Sequence, residues 1–219
     1  MFLSQTVSKI GSPSSKAIDL LYQSGLLACQ QRHQRLAVHI WHAQAHPILN
    51  QLSSLVSHLI CQQSFKPDRD ALKGFGLEVV HDVDTVSDLA LLFPHKNKQQ
   101  TLYHMAKSMQ SLVMGGRIIM ACANTHGAKS YQHALASLAG HADASSKAKC
   151  RVFSARKTPH FNHDLADEWL QAGDVQRVDG LDLYSQAGLF SWNRADAGSQ
   201  LLLSQLPKLA GAGMDLCCG

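Results

Sequence analysis

Three short apolar runs decide what this chain can fold into. Leu36-Ala-Val-His-Ile-Trp41 places Leu36, Val38 and Ile40 on one side at a period of two, the pattern of a strand. Leu89-Ala-Leu-Leu-Phe93 and Arg117-Ile-Ile-Met-Ala-Cys-Ala123 are apolar almost without a break, as expected of strands buried on both faces in the middle of a parallel sheet. After Pro47, the positions Ile48, Leu52, Leu55, Val56, Leu59 and Ile60 recur at three and four, the stripe of one amphipathic helix. Asn97, with Gln100 three residues on, suits the cap of a second helix, whose inner stripe runs Leu102, Met105, Ala106, Met109, Leu112 and Val113 until Gly115-Gly116 stops it. A short strand over 77–80, a helix over 128–138 and a strand over 150–154 complete the series. The alternation predicts an α/β domain over 17–157, a doubly wound, mostly parallel sheet covered on both faces.

The flanks read differently. Residues 1–16 are Ser-rich, with Gly11-Ser-Pro-Ser-Ser15 as a breaker cluster, and predict a loose arm. Over 15–31, Ile18, Leu21, Leu26 and Leu27 fit a helix imperfectly, because Gly25 interrupts them. Residues 158–174 read as a linker with a short helix at 164–170. Two alternating runs, 175–178 and 181–184, flank Asp179-Gly180 and predict a hairpin with a type I′ turn. It opens a second unit over 175–219.

A hydrophobic content of 45% against 16% charged residues supplies a real core and argues against disorder. The net charge of +4 tilts toward an anionic partner, although the Lys and Arg are dispersed. Six cysteines without a Cys-x-x-Cys pair suit a reduced, cytoplasmic protein. Neither a secretory signal nor an apolar run near the roughly 18 residues of a membrane span is present. His39, His42 and His46 are close in sequence, yet strand geometry points His39 and His42 to opposite faces and no Cys or carboxylate joins them, so no metal site is expected.

Chemistry concentrates near the end. Phe190 offers a flat face for stacking a ring, while Asp196, Gly198 and Ser199 bring a carboxylate, an unhindered backbone and a hydroxyl to a helix start. The same residues also suit a plain helix cap with Phe190 packed beneath it. Met214-Asp-Leu-Cys-Cys-Gly219 reads as a strand running into a glycine turn where backbone can approach a ligand. Lys96 and Lys98 follow the 89–93 strand at the edge where such sheets bind ligands, and with Lys107, Arg117 and Lys129 could face RNA; a solvated loop with a cap is the alternative.

Gly188-Leu-Phe-Ser-Trp, Asp196-x-Gly-Ser-x-Leu-Leu-Leu203, Leu206-Pro207 and Asp215-Leu-x-Cys-Gly219 together resemble class I S-adenosylmethionine-dependent methyltransferases of the ribosomal small-subunit RNA guanine-N2 type. The resemblance implies an N-terminal domain that is itself a degenerate methyltransferase copy, with Pro94 and Asn97 where the catalytic copy has its Asn-Pro-Pro-Phe-type loop. It implies S-adenosylmethionine beside Phe190, Asp196, Gly198 and Ser199, cradled by Asp215, Cys217 and Gly219; Cys217 departs from the commoner glycine. Ribosomal RNA or the small ribosomal subunit is the implied partner. The catalytic loop is expected beyond Gly219, so the chain alone is expected to be inactive and not to bind the cofactor tightly. A non-enzymatic RNA-binding or scaffold module is the rival reading.

Overall fold

The computed structural model describes residues 15–178, 182–207, 210 and 211. It divides into two units, 1–174 and 175–219. The first opens with α1 (Ser15–Gln30) and β1 (Ala37–Trp41), then α2 (Ile48–Leu55), β2 (His58–Gln62), α3 (Lys66–Gly74) and β3 (Glu78–Val80). It continues through β4 (Ser87–Leu92), α4 (Lys98–Ser111), β5 (Leu112–Ala123), α5 (Ala128–Ala139), β6 (Asp143–Lys147), β7 (Cys150–Arg156) and α6 (His163–Gly173). The strands form one sheet in the order β3-β2-β1-β4-β5-β7-β6. All pairs from β3 to β5 are parallel, while β7 runs antiparallel to both β5 and β6.

The unbroken apolar strands serve two cores at once. Leu89 and Leu91 of β4 pack with Ile119 and Ala121 of β5, Val38 and Ile40 of β1 and Leu21 of α1. Ala90 and Leu92 face the other way, with Ile118, Met120, Met105 and Met109. Side chains alternate across a strand, so a sheet sandwiched between helices needs apolar residues at every position. Asn97 caps α4 as its sequence predicts, its Oδ1 accepting from the Gln100 amide at 3.0 Å.

Several expectations are corrected. The stripe from Ile48 to Ile60 is not one helix: α2 ends at Leu55, Val56 turns extended, the Ser57 amide donates to Leu36 O, and Leu59 and Ile60 lie in β2. Leu112 and Val113 belong to β5 and not to α4, and the strand runs on through Gly115-Gly116. Gly25 does not break α1; it sits inside an unbroken helix, where an added Cβ would lie 2.6 Å from Leu91 Cδ1. Residues 158–174 are no linker. Phe161, Ala166 and Trp169 are buried in the core beneath α4 and α5, and the division between units falls after Asp174. Of the expected arm, Ser15 and Lys16 open α1 and the rest lies outside the described residues.

In the second unit, β8 (Gln176–Arg177) pairs antiparallel with β9 (Tyr184–Ser185), and α7 spans Ala197–Gln205. The hairpin is present with a different register. The Val178 amide donates to Leu183 O, whereas a two-residue Asp179-Gly180 turn would set Val178 opposite Leu181. A slip of two keeps every side chain on its face, which is why the alternating pattern was still readable. The turn residues 179–181 lie outside the described residues.

Candidate cofactor-side residues and a filled sheet edge

In doubly wound folds, ligands sit outside the carboxyl ends of the strands, where the turn after the first strand offers its amides. In unit 1 that turn begins at His42, which adopts φ 54°. Its amide donates to Gln62 Oε1 at 3.0 Å, the Ala43 amide to Gln62 O at 3.0 Å and the Gln44 amide to Tyr22 Oη at 3.1 Å. Tyr22 Oη in turn donates to Gln44 O at 2.6 Å, and Gln63 Nε2 donates to Ala43 O at 2.7 Å. Three consecutive amides that could cradle a phosphate or carboxylate are therefore committed to the protein's own groups.

Side chains fill the adjoining space. The His42 ring stacks on His95 at 3.7 Å between centroids, and His95 Nε2 shares a 2.6 Å hydrogen bond with His104 Nδ1. His42 Nδ1–H donates to Phe93 O at 3.3 Å. Burial holds all three neutral: His42 is pushed down to about 4 and His104 to about 3, while burial and its His42 and His104 neighbours hold His95 well below the usual histidine range. His42 and His95 lie at the carboxyl ends of adjacent strands, β1 and β4, so the cluster occupies the crevice itself.

The close trio in the sequence is dispersed. His39 Nε2 shares a 3.2 Å hydrogen bond with Thr85 Oγ1, His42 joins the stack, and His46 donates to Asp19 Oδ1 at 2.9 Å. Among the described residues no group of three or more His, Cys, Asp or Glu side chains is placed to hold a metal ion.

The cations divide. Lys96 and Lys98 line a hollow of about 320 Å³ with His126, Ser130 and Tyr131, between the loop after β4 and the start of α5. Lys129 precedes Ser130 on α5. Lys107 is paired with Asp82, and Arg117 pairs with Leu89 near the start of β4 while Lys96 and Lys98 follow its other end, so these two do not join Lys96 and Lys98 in one patch.

In unit 2, Phe190, Ser191, Asn193, Arg194, Asp196 and Ala197 line an open hollow. Ser191, at φ 50°, turns the chain there, its Oγ donating to Arg194 O at 2.9 Å. Asp196 caps α7: its Oδ2 accepts from the Ser199 amide at 2.9 Å and from Ser199 Oγ at 3.2 Å. Phe190 is not packed beneath the helix but is 86% exposed. Phe190 and Asp196 thus border one hollow, with Gly198 and Ser199 in the first turn of α7; Asp215, Cys217 and Gly219 lie outside the described residues. The histidine cluster had no sequence signal, since its members come from three separate elements.

The sheet order, with β7 reversed, and the helices on both faces define a doubly wound α/β fold of the kind methyltransferases share. The chain belongs to the methyltransferase small-domain family: the family's N-terminal model, "Methyltransferase small domain N-terminal", matches residues 16–172, and "Methyltransferase small domain" matches 180–219. It is similar to the ribosomal RNA small subunit methyltransferase C of Psychromonas ingrahamii, 32% identical over 139 residues, which cover 62% of this chain and 40% of that protein. The protein of the same name from Pasteurella multocida is 32% identical over 136 residues, 61% of this chain and 40% of that one. The chain therefore spans about 40% of the length of these curated relatives. Its fold is similar to that of a T. thermophilus 16S rRNA N2 methyltransferase solved with AdoMet and guanosine, at TM-score 0.62 and 16% identity, covering 89% of this chain and 53% of that one. A ribosomal protein L11 methylase from Lactobacillus delbrueckii matches at TM-score 0.53 and 13% identity, covering 64% of this chain and 79% of that one. No helix among the described residues is long and apolar enough to cross a membrane.

Proposed function

We propose that this chain is part of a cytoplasmic enzyme that transfers a methyl group from S-adenosylmethionine to the exocyclic N2 of a guanine in small-subunit ribosomal RNA. The observation that carries the reading is the order of parts: one methyltransferase-fold unit, then a hairpin, an exposed Phe190 and an Asp196-capped helix, matched in sequence first by the methyltransferase small-domain N-terminal model and then by the methyltransferase small-domain model. The curated relatives are named as methyltransferases of that ribosomal RNA, which supports the substrate class.

In this reading the two units divide the work. Unit 1 is a copy whose cofactor crevice is filled by His42, His95 and His104 and whose amides at 42–44 are committed. It serves folding and RNA placement, with Lys96 and Lys98 at the ligand edge. Unit 2 begins the catalytic domain. Phe190 stacks beside the cofactor, and Asp196, Gly198 and Ser199 take its polar end, with Asp215, Cys217 and Gly219 completing the cradle. Leu201, Leu202 and Leu203 are 61–67% exposed, an apolar run that suits a face covered by further protein. Methyl transfer then depends on holding the sulfonium carbon in line with the guanine nitrogen. A non-enzymatic RNA-binding role for the chain by itself remains the second reading, favoured by the filled crevice of unit 1.

The test is a transfer assay with labelled S-adenosylmethionine and small-subunit RNA. The chain continued through a complete methyltransferase small domain is expected to yield N2-methylguanosine on nuclease digestion and mass spectrometry. Phe190→Ala with Asp196→Ala should lower the rate by about a hundredfold, the scale of misplaced reactants. Label found at another atom, or no label, refutes the assignment.

A further inference from the structure

A large cleft in unit 1 lies at the edge of the sheet opposite the histidine cluster. It has a volume of about 810 Å³ and lies between the end of α1 and the starts of β4 and β5. We propose that this cleft is a groove for the phosphodiester backbone of single-stranded RNA, held by Arg32, Arg117 and Arg156; the inference rests on the reading above that the chain acts on RNA.

The first support is charge. Three arginines line the cleft against one carboxylate, Asp88, whose Oδ2 already accepts from the Ala37 amide at 2.8 Å. Arg117 gives one bond to Ser154 Oγ at 2.8 Å and Arg156 one to Gly115 O at 3.0 Å. A guanidinium has five N–H donors, so each keeps a fork for an anion. The Arg32 side chain makes no hydrogen bond or ion pair among the described residues. Lys157 does not count, because its Nζ is occupied by the carbonyls of Gln110 and Leu112 at 2.7 and 2.8 Å. Arg32 also follows the carbonyl end of α1, where a cation is favourable. That accounts for one arginine but not for Arg117 and Arg156, which face each other across the β5/β7 pair.

The second support is a built irregularity. Pairing jumps from Ser87↔Leu112 to Leu89↔Arg117, so residues 113–116 bulge out opposite Asp88. The bulge is fixed: the Gly115 amide donates to Lys157 O at 2.8 Å, and the Lys157 amide to Gly116 O at 2.9 Å. Gly115 sits at φ 81°, and a Cβ on Gly116 would lie 2.8 Å from Val113 O and 3.1 Å from Asp88 O. Bulges of this kind re-aim side chains. Here the result is Met114, 64% exposed, beside the arginines.

Arginine forks match phosphate oxygens in pairs, and an exposed thioether next to them offers a base an apolar face. A run of acidic side chains has the carboxylates but no flat ring to lay on that face. The combination favours RNA.

The experiment is fluorescence anisotropy of the whole 219-residue chain with a labelled single-stranded RNA of about 12 nucleotides across a salt series. R32A/R117A/R156A should weaken binding by about tenfold or more and reduce the log–log salt slope by about 2, near 0.7 for each phosphate no longer neutralised. R32A/R156A, which spares the Arg117–Ser154 bond, should show about two thirds of that change in slope, with a urea midpoint close to that of the unaltered chain showing that the loss is not one of folding. K16A/K66A/K73A removes the same charge elsewhere and should have the smaller effect. If the arginine and lysine triples weaken binding equally, the groove is wrong while the RNA reading stands, and K96A/K98A then locates the contact. Absence of RNA binding by the unaltered chain overturns both. A poly-glutamate peptide that binds as tightly as RNA, and fails to bind once the same arginines are replaced, overturns the groove in favour of an acidic protein partner.

Discussion

Unit 1 should unfold on mild acidification, losing most of its stability between about pH 6.5 and pH 4. Burial is the main cause that holds His39 and His42 at about 4 and His104 at about 3, and His95 lies well below its usual range. The unfolded chain, with ordinary histidines, binds more protons in that window, so stability is fully present above about pH 6.5 and falls as pH drops toward the folded values. A shift of the size at His42 corresponds to about 3 kcal/mol, a large share of the whole stability of an ordinary domain, and His39, His95 and His104 act in the same direction. Urea unfolding at a series of pH values reads this directly. His42→Asn keeps a residue that tolerates φ 54°, and should flatten the pH slope by up to about 1.4 kcal/mol per pH unit. Unchanged stability down to pH 4 would mean that the histidine cluster is not buried neutral.

Gly173→Ala should cost about 1–3 kcal/mol, a packing penalty that the gain in helix propensity near a helix end does not offset. Gly173 closes α6 against α4, and an added Cβ would lie 2.4 Å from Tyr103 Cβ and 2.8 Å from its Cγ. Atoms so near the backbone cannot swing aside. Gly25→Ala is the contrast. Its Cβ would meet the methyl end of the buried Leu91, which must shift, but an alanine in mid-helix gains up to about 1 kcal/mol, so the net cost should be smaller than at Gly173. Equal urea midpoints for the two variants would contradict this account of the α4–α6 contact.

What the sequence made legible follows from which faces are buried. β4 and β5 were readable because both of their faces enter a core. α4 was readable because Asn97 caps it in the usual way. β6 was not, since Asp143–Lys147 is exposed along its length at the sheet edge and carries no apolar period. α3 buries only Leu72 among charged residues, which leaves no stripe to find. β2 was absorbed into the preceding helix because Leu59 and Ile60 happen to fall in phase with Leu52, Leu55 and Val56.

The site divides the same way. Asp196 and Ser199 form a local motif, three residues apart, and local motifs survive in sequence. His42, His95 and His104 meet only because β1 and β4 are neighbours and α4 follows β4, information that resides in the topology. The arginine cleft is equally non-local, assembled from the end of α1, the bulge of β5 and the end of β7.

In the proposed division of work, unit 1 keeps the methyltransferase fold without a cofactor site, and the cofactor-side residues begin with Phe190. Calorimetric titration of S-adenosylmethionine into the 219-residue chain tests it most directly. The account predicts no saturable heat. A saturable isotherm that persists after Phe190→Ala and Asp196→Ala would place the cofactor at the end of β1, among His42, Gln44 and Gln62, and would contradict it.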